Sequence, residues 1–207
     1  MCHISGTARR RTGDLLLFGV TAAELAILFV LTPTFTAVDW IYVSQHVLVL
    51  GIALTRRPPE LGEYSLLTSV AVIASYAYPY AQVAYLRWVP GFPGWSEGGL
   101  VLVMLGACLS LVSLLSLGRR FGVFPAFRGL ATRGPYRLVR HPTYLAYVLA
   151  DIGYNLQEWN VGTVLLVLAG WASLLYRIRA EERILSRSSQ WSAYAASVRY
   201  RLLPCLW

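Results

Sequence analysis

A run of basic, aromatic and turn residues, Arg133-Gly134-Pro135-Tyr136-Arg137-Leu138-Val139-Arg140-His141-Pro142-Thr143-Tyr144, is followed 40 residues after its histidine by the acid pair Glu181-Glu182. Arginines and an imidazole suit a carboxylate or a phosphate. Carboxylates suit an ammonium group or hydroxyls. Proline favours the first helical position, where the N–H it lacks would have no partner. A helix is therefore expected to begin at Pro142, capped by His141. The N–H groups of Thr143 and Tyr144 would be left unpaired at a helix start that favours negative charge. His141 adds a hydrogen bond without a fixed charge, and Tyr136, Tyr144 and Tyr147 add aromatic surface. A zwitterionic nucleoside such as S-adenosylmethionine matches every one of these groups. NADPH or a phospholipid headgroup would satisfy much of the same set.

Apolar segments must bring these blocks together. Six are long enough to consider as spans: Leu15–Leu31, Trp40–Leu54, Tyr64–Leu86, Gly98–Gly118, Pro142–Leu156 and Trp159–Tyr176. A span needs about 20 apolar residues at roughly 1.5 Å each. The third and fourth carry no charge, whereas the fifth is short and holds Asp151. After a polar turn at Asn155, Gln157, Glu158 and Asn160, the sixth would return Glu181 and Glu182 toward His141. Arg177 and Glu181, four residues apart, would share a helix face. Glu182 would point about 100° away from Glu181 and do a different job.

The composition agrees with a membrane protein. Of 207 residues 57% are hydrophobic and 14% charged, against roughly 25% charged in a soluble domain, and the mean hydropathy is +0.54. With the N-terminus in the cytoplasm and six crossings, Arg9–Arg11, Arg56, Arg57, the six arginines from Arg119 to Arg140 and the six from Arg177 to Arg201 all fall inside. Only Arg87 of the 18 falls outside, as the positive-inside rule asks. The net charge of +8 is thus met by anionic lipid headgroups, and no nucleic acid is implied. Leu15–Leu31 reads as a retained span in place of a cleaved signal peptide. Cys2, Cys108 and Cys205 have no metal-ligand spacing and read as free thiols; no metal and no stable protein partner are expected. Trp88 and Trp95 suit the outer interface. Glu24, Asp39 and Asp151 lie in or at the edges of apolar runs, where acids default to functional candidates. Pro79 should kink the third helix.

The pattern Gly134-Pro135-Tyr136-x-x-x-Arg140-His141-Pro142-x-Tyr144, with Glu181-Glu182 after a reversal, resembles the isoprenylcysteine carboxyl methyltransferase superfamily, which includes the membrane phospholipid methyltransferases. The resemblance covers roughly Ser116 to Trp207. It implies an S-adenosylmethionine-dependent methyltransferase with a cytoplasm-facing cofactor site and a lipophilic or small-molecule acceptor entering from the bilayer. Arg140, His141, Tyr144, Glu181 and Glu182 would bind the cofactor, with Tyr136 beside them and Arg177 orienting Glu181. No catalytic base is assigned. The chain departs from the family at Ala146, where a glycine is usual. It departs again at Ser189-Gln190-Trp191-Ser192-Ala193-Tyr194, which replaces a Phe-Gly-x-x-Tyr pattern. The ending from Val198 to Pro204 looks like the family's basic tail.

The expectation is an all-α, multi-pass membrane bundle of about six hydrophobic helices, with a C-terminal helical hairpin and a cytoplasmic tail, forming one domain in a bacterial inner membrane. Residues 1–118 would face the acceptor and 119–207 the cofactor. Two alternatives remain: an NADPH-dependent reductase, since sterol reductases look distantly similar in this region, and a non-enzymatic membrane protein on the same scaffold.

Overall fold

The computed structural model describes residues 6–31, 35–62 and 65–203. Cys2, Cys205, Pro204 and the expected start of the third segment at Tyr64 lie outside these residues. The helices are α1 (Gly6–Leu31), α2 (Ala37–Thr55), α3 (Leu66–Trp88), α4 (Ser96–Leu117), α5 (Pro142–Gln157), α6 (Val161–Leu185) and the short α7 (Trp191–Ser197). Gly118–Arg120 and Gly134–Arg137 form 3-10 turns. Two-residue strands β1 (Leu61–Gly62) and β3 (Ala126–Phe127) pair antiparallel, as do β2 (Phe92–Pro93) and β4 (Glu158–Trp159). The first pairing ties the α2–α3 loop to the α4–α5 loop, and the second ties α3–α4 to α5–α6.

Short polar signals start the helices. Thr36 accepts from the Asp39 N–H while the Asp39 carboxylate accepts from the Thr36 N–H at 2.8 Å, a capping box. Asp39 is thus a capping residue. Asn160 and Thr163 form the same device on α6. Pro142 sits at the first position of α5 with His141 as its cap.

Among the described residues, two helices are long and apolar enough to cross a membrane, Ser96–Arg120 and Val161–Leu185; the apolar parts of α1 and α2, Phe18–Val30 and Asp39–Thr55, are shorter. The uncharged third segment falls below that level because its hydroxyl-bearing residues, Pro79 and Gln82 lower its hydropathy; Thr68, Ser75, Tyr78 and Gln82 among them are buried.

α5 packs along α4 and α6 packs along α3; α5 and α6 meet each other only sparsely. Small residues make the first contact tight. A Cβ on Gly106 would come within 2.6 Å of the Ala146 carbonyl oxygen and 2.9 Å of the Ala150 nitrogen. Such close backbone approach is how apolar helices gain dispersion energy without a hydrophobic driving force between them. Ala146 therefore faces α4, where Gly106 supplies the space. Buried polar groups pin the helices further. Asp151 Oδ2 accepts from the Tyr78 hydroxyl at 2.6 Å and the Trp171 indole at 2.8 Å, joining α3, α5 and α6. Gln45 donates to the Ala107 carbonyl at 2.8 Å, and Glu24 lies 3.7 Å from His46 Nε2. Each acid in these apolar runs thus has a partner, as burial of a polar group requires.

Candidate functional site

The family-like motif folds into two consecutive helix starts. Gly134 has φ +59°, a left-handed conformation that glycine adopts at no steric cost, and it opens the 3-10 turn that carries Tyr136. The chain then leads through Arg140 and His141 into α5. The Tyr136 hydroxyl meets Thr143 Oγ1 at 3.1 Å, and its carbonyl accepts from the Tyr194 hydroxyl at 2.9 Å. Burial pushes the Tyr194 phenol up to about 12 and raises that of Tyr136 as well, so both remain protonated at neutral pH. The helix start itself is less open than expected. The Tyr144 N–H donates to the His141 carbonyl at 3.1 Å and so is spent inside the turn.

α6 returns the acid pair to this motif, and the two acids separate in role. Glu182 Oε1 lies 2.8 Å from Arg140 Nε and 3.3 Å from His141 Nε2, while its Oε2 accepts from Arg201 Nε at 2.7 Å. It faces three basic groups and is largely enclosed. Glu181 instead accepts from the Tyr144 hydroxyl, and its Oε2 lies 3.8 Å from His141 Nδ1. The histidine thus has a carboxylate on each ring nitrogen, and its ring stacks on Tyr144 with centroids 5.7 Å apart.

Arg177 does not go to Glu181 in the way the four-residue spacing suggests. Buried at 3% exposure, it donates to Ser75 Oγ at 2.7 Å and to the Val123 carbonyl at 3.1 Å. Its guanidinium lies over the Tyr76 and Tyr144 rings at 5.1 and 5.3 Å, within cation–π range. Pro79 lies within α3 and cannot donate to the Ser75 carbonyl one turn earlier.

A cavity opens between these groups, with about 870 Å³ of unfilled space including solvent at its mouth. Arg140, His141, Tyr144 and Glu181 line one side, with Trp191 and Tyr194 of α7 beyond them. Leu117, Phe121 and Phe124 make an apolar side, and Arg120, Arg128 and Arg177 add further guanidinium groups. Of the seven residues expected to form the site, six line this cavity; Glu182 stands behind it. Ala146 is on the α4 side of α5, away from the cavity. Tyr194 stands in the site although its surrounding pattern departs from the family's. Sequence reading did not find Tyr76, Arg120, Arg128 or Trp191. The arginines carried only a topological signal, and the tail residues had no motif. Among the described residues, no group of three or more His, Cys, Asp or Glu could hold a metal ion.

Comparison with known proteins places this geometry. The phospholipid methyltransferase family profile matches residues 96–189, from the start of α4 through the glutamate pair. Protein-S-isoprenylcysteine O-methyltransferase A of Arabidopsis thaliana is 29% identical over 148 residues, covering 64% of this chain and 75% of the relative. Protein-S-isoprenylcysteine O-methyltransferase B of the same plant is 25% identical over 184 residues, covering 81% and 90%. A probable protein-S-isoprenylcysteine O-methyltransferase of Oryza sativa subsp. indica is 28% identical over 147 residues, covering 63% and 77%. The profile match and these relatives support the isoprenylcysteine and phospholipid methyltransferase superfamily for this chain. The chain is a methyltransferase. The matched region takes in α4, which the motif-based resemblance from Ser116 had left out. α4 is the helix against which α5 is packed, so the inclusion has a physical reason.

The division between the acids predicts unequal effects on the ligand-free methyltransferase. Glu182→Ala removes the carboxylate shared by Arg140 and Arg201 and should cost on the order of 2–4 kcal/mol. Glu181→Ala should cost under about 1 kcal/mol, because water in the cavity can replace the carboxylate. Thermal unfolding in detergent checks the order.

Proposed function

We propose that the methyltransferase uses S-adenosylmethionine to methylate a carboxylate on a lipophilic acceptor, at the cytoplasmic face of a membrane that it crosses six times. The cavity carries this reading, because its lining combines polar and apolar side chains, and the described lining residues include four guanidinium groups against one carboxylate.

The residues present fit the cofactor. Arg140 and His141 would take the amino-acid carboxylate. Glu181 with Tyr144 would take the ammonium group or the ribose hydroxyls. Tyr136, Trp191 and Tyr194 offer faces for the base. When bound, S-adenosylmethionine supplies a methyl group on a sulfonium, which an acceptor oxygen displaces in line. The chain's own task is alignment and exclusion of water, and a carboxylate acceptor needs no general base.

The excess of arginine favours that acceptor. S-adenosylmethionine carries net positive charge, and placing it among guanidinium groups in a partly desolvated cavity is unfavourable unless an anion enters too. A protonated amine would add to the repulsion. Buried atoms Nε of Arg120 and Nε of Arg177 have no hydrogen-bond partner within the protein, and an acceptor anion would satisfy such donors. The names of the plant relatives, isoprenylcysteine O-methyltransferases, agree with methylation on oxygen.

Several features support the membrane arrangement. Leu54 at 78%, Leu66 at 82% and Val161 at 68% exposure are among many apolar side chains directed outward along the helices. Apolar outer faces on this scale need a lipid surround. Trp88, Trp95 and Trp159 cluster at the β2–β4 end, and the arginine-rich cavity lies at the other. The N-terminal helices, residues 1–118, would form the acceptor side.

Two measurements test the proposal. Calorimetry should show S-adenosylmethionine binding that His141→Ala and Glu181→Ala each weaken at least about tenfold, a loss near 1.4 kcal/mol, with folding retained; unchanged affinity would remove these residues from the site, and NADPH should not bind. Methyl label transferred to a lipid-linked acid should be released by mild alkali as an ester is. Label that resists alkali would point to nitrogen or sulfur as the acceptor instead.

A further inference from the structure

Beyond α7 the chain turns back across the motif. The N–H of Arg140 donates to the Tyr200 carbonyl and the N–H of His141 to the Arg201 carbonyl, both at 2.9 Å. These are the last two amide donors before Pro142. The Arg140 side chain also reaches the Val198 carbonyl at 3.4 Å, and Leu202 packs on the cluster of Tyr144, Leu174 and Ile178. Arg201 therefore holds His141 twice. Its carbonyl takes the histidine's backbone N–H, and its guanidinium takes Oε2 of Glu182, whose Oε1 faces the His141 ring.

Arg201 and Glu182 are both absent from the described cavity lining, so neither is placed to touch a ligand there. A carboxylate on a flexible side chain has several rotamers, and fixing one oxygen fixes the other. With Oε2 held by Arg201 from behind, Oε1 is presented to His141 Nε2, which turns Nδ1 toward Glu181 and the cavity. Without that guanidinium Glu182 would keep Arg140 as a partner but lose the constraint that aims it at the ring.

We propose that Arg201, in the C-terminal tail, is a positioning residue for the cofactor site, acting through Glu182 to hold the His141 ring in its binding orientation. The inference rests on the cofactor reading above and adds to it a residue more than 50 positions from the motif. Misplacement of a binding group by about an ångström costs up to roughly a hundredfold. One ring loosened but still tethered by its backbone should cost about tenfold, within the coupling expected of contacting residues.

The test uses the full-length protein in detergent. Arg201→Gln should weaken S-adenosylmethionine binding about tenfold and raise its KM to match, with the acceptor KM unchanged. Arg201→Lys, which keeps the charge but loses the planar fork, should recover part of the loss. In a His141→Ala background, Arg201→Gln should change affinity by less than about twofold, because no ring remains to be positioned. A tenfold loss that persists in that background, a loss shared equally by the acceptor KM, or unchanged affinity in Arg201→Gln would each overturn the proposal. Absence of S-adenosylmethionine binding by the wild-type protein would instead overturn the cofactor reading itself, and this inference with it.

Discussion

Guanidinium groups at the edge of an apolar bundle need carboxylate partners, and Glu182 meets that need for Arg140 and Arg201 together. Desolvating an unpaired guanidinium costs several kcal/mol. The pairing draws the end of α6, the motif before α5 and the C-terminal tail onto one point. His141 is caught in the same cluster through its ring and through its backbone. Once Glu182 is committed, the adjacent Glu181, about 100° around the helix, is left to face the cavity with Tyr144.

Two further packing arrangements give that cluster a fixed frame. The tight α4–α5 contact at Gly106 and Ala146 sets where α5 begins. The crossing of Arg177 from α6 to Ser75 of α3 and to Val123 sets the depth of the cavity floor. The result is a cavity lined by both polar and apolar side chains, with the buried Arg177 among them. A charged nucleoside and a lipophilic chain would need such a lining. In the proposed reading, the excess of guanidinium over carboxylate would select the sign of the acceptor's reacting group.

Much of this was legible in the sequence because it is local. Pro142 marks the start of α5, Gly134 marks a left-handed turn, and the block from Tyr136 to Tyr144 with Glu181 names most of the cavity's polar wall. The capping box of Thr36 and Asp39 could also have been read, which would have removed Asp39 from the functional candidates. The contacts set by tertiary packing were not legible. The spacing of Arg177 and Glu181 suggested a pair along one helix, but Tyr144 takes Glu181, and the Ser75 hydroxyl and Val123 carbonyl take Arg177. The sequence order of α5 and α6 suggested that they pack together, whereas small residues send α5 to α4. Arg201 looked like one more basic residue in a basic tail, because nothing in its neighbourhood shows that it reaches Glu182.

The central claim is that the cavity between the motif and the end of α6 receives the methyl donor. An experimental structure of the protein with S-adenosylhomocysteine, the demethylated product, tests it most directly. The account predicts ligand density bounded by His141, Tyr144 and Glu181, with the sulfur turned toward the apolar wall of Leu117, Phe121 and Phe124. Density seated elsewhere on the protein, without contact to His141 or Glu181, would contradict it.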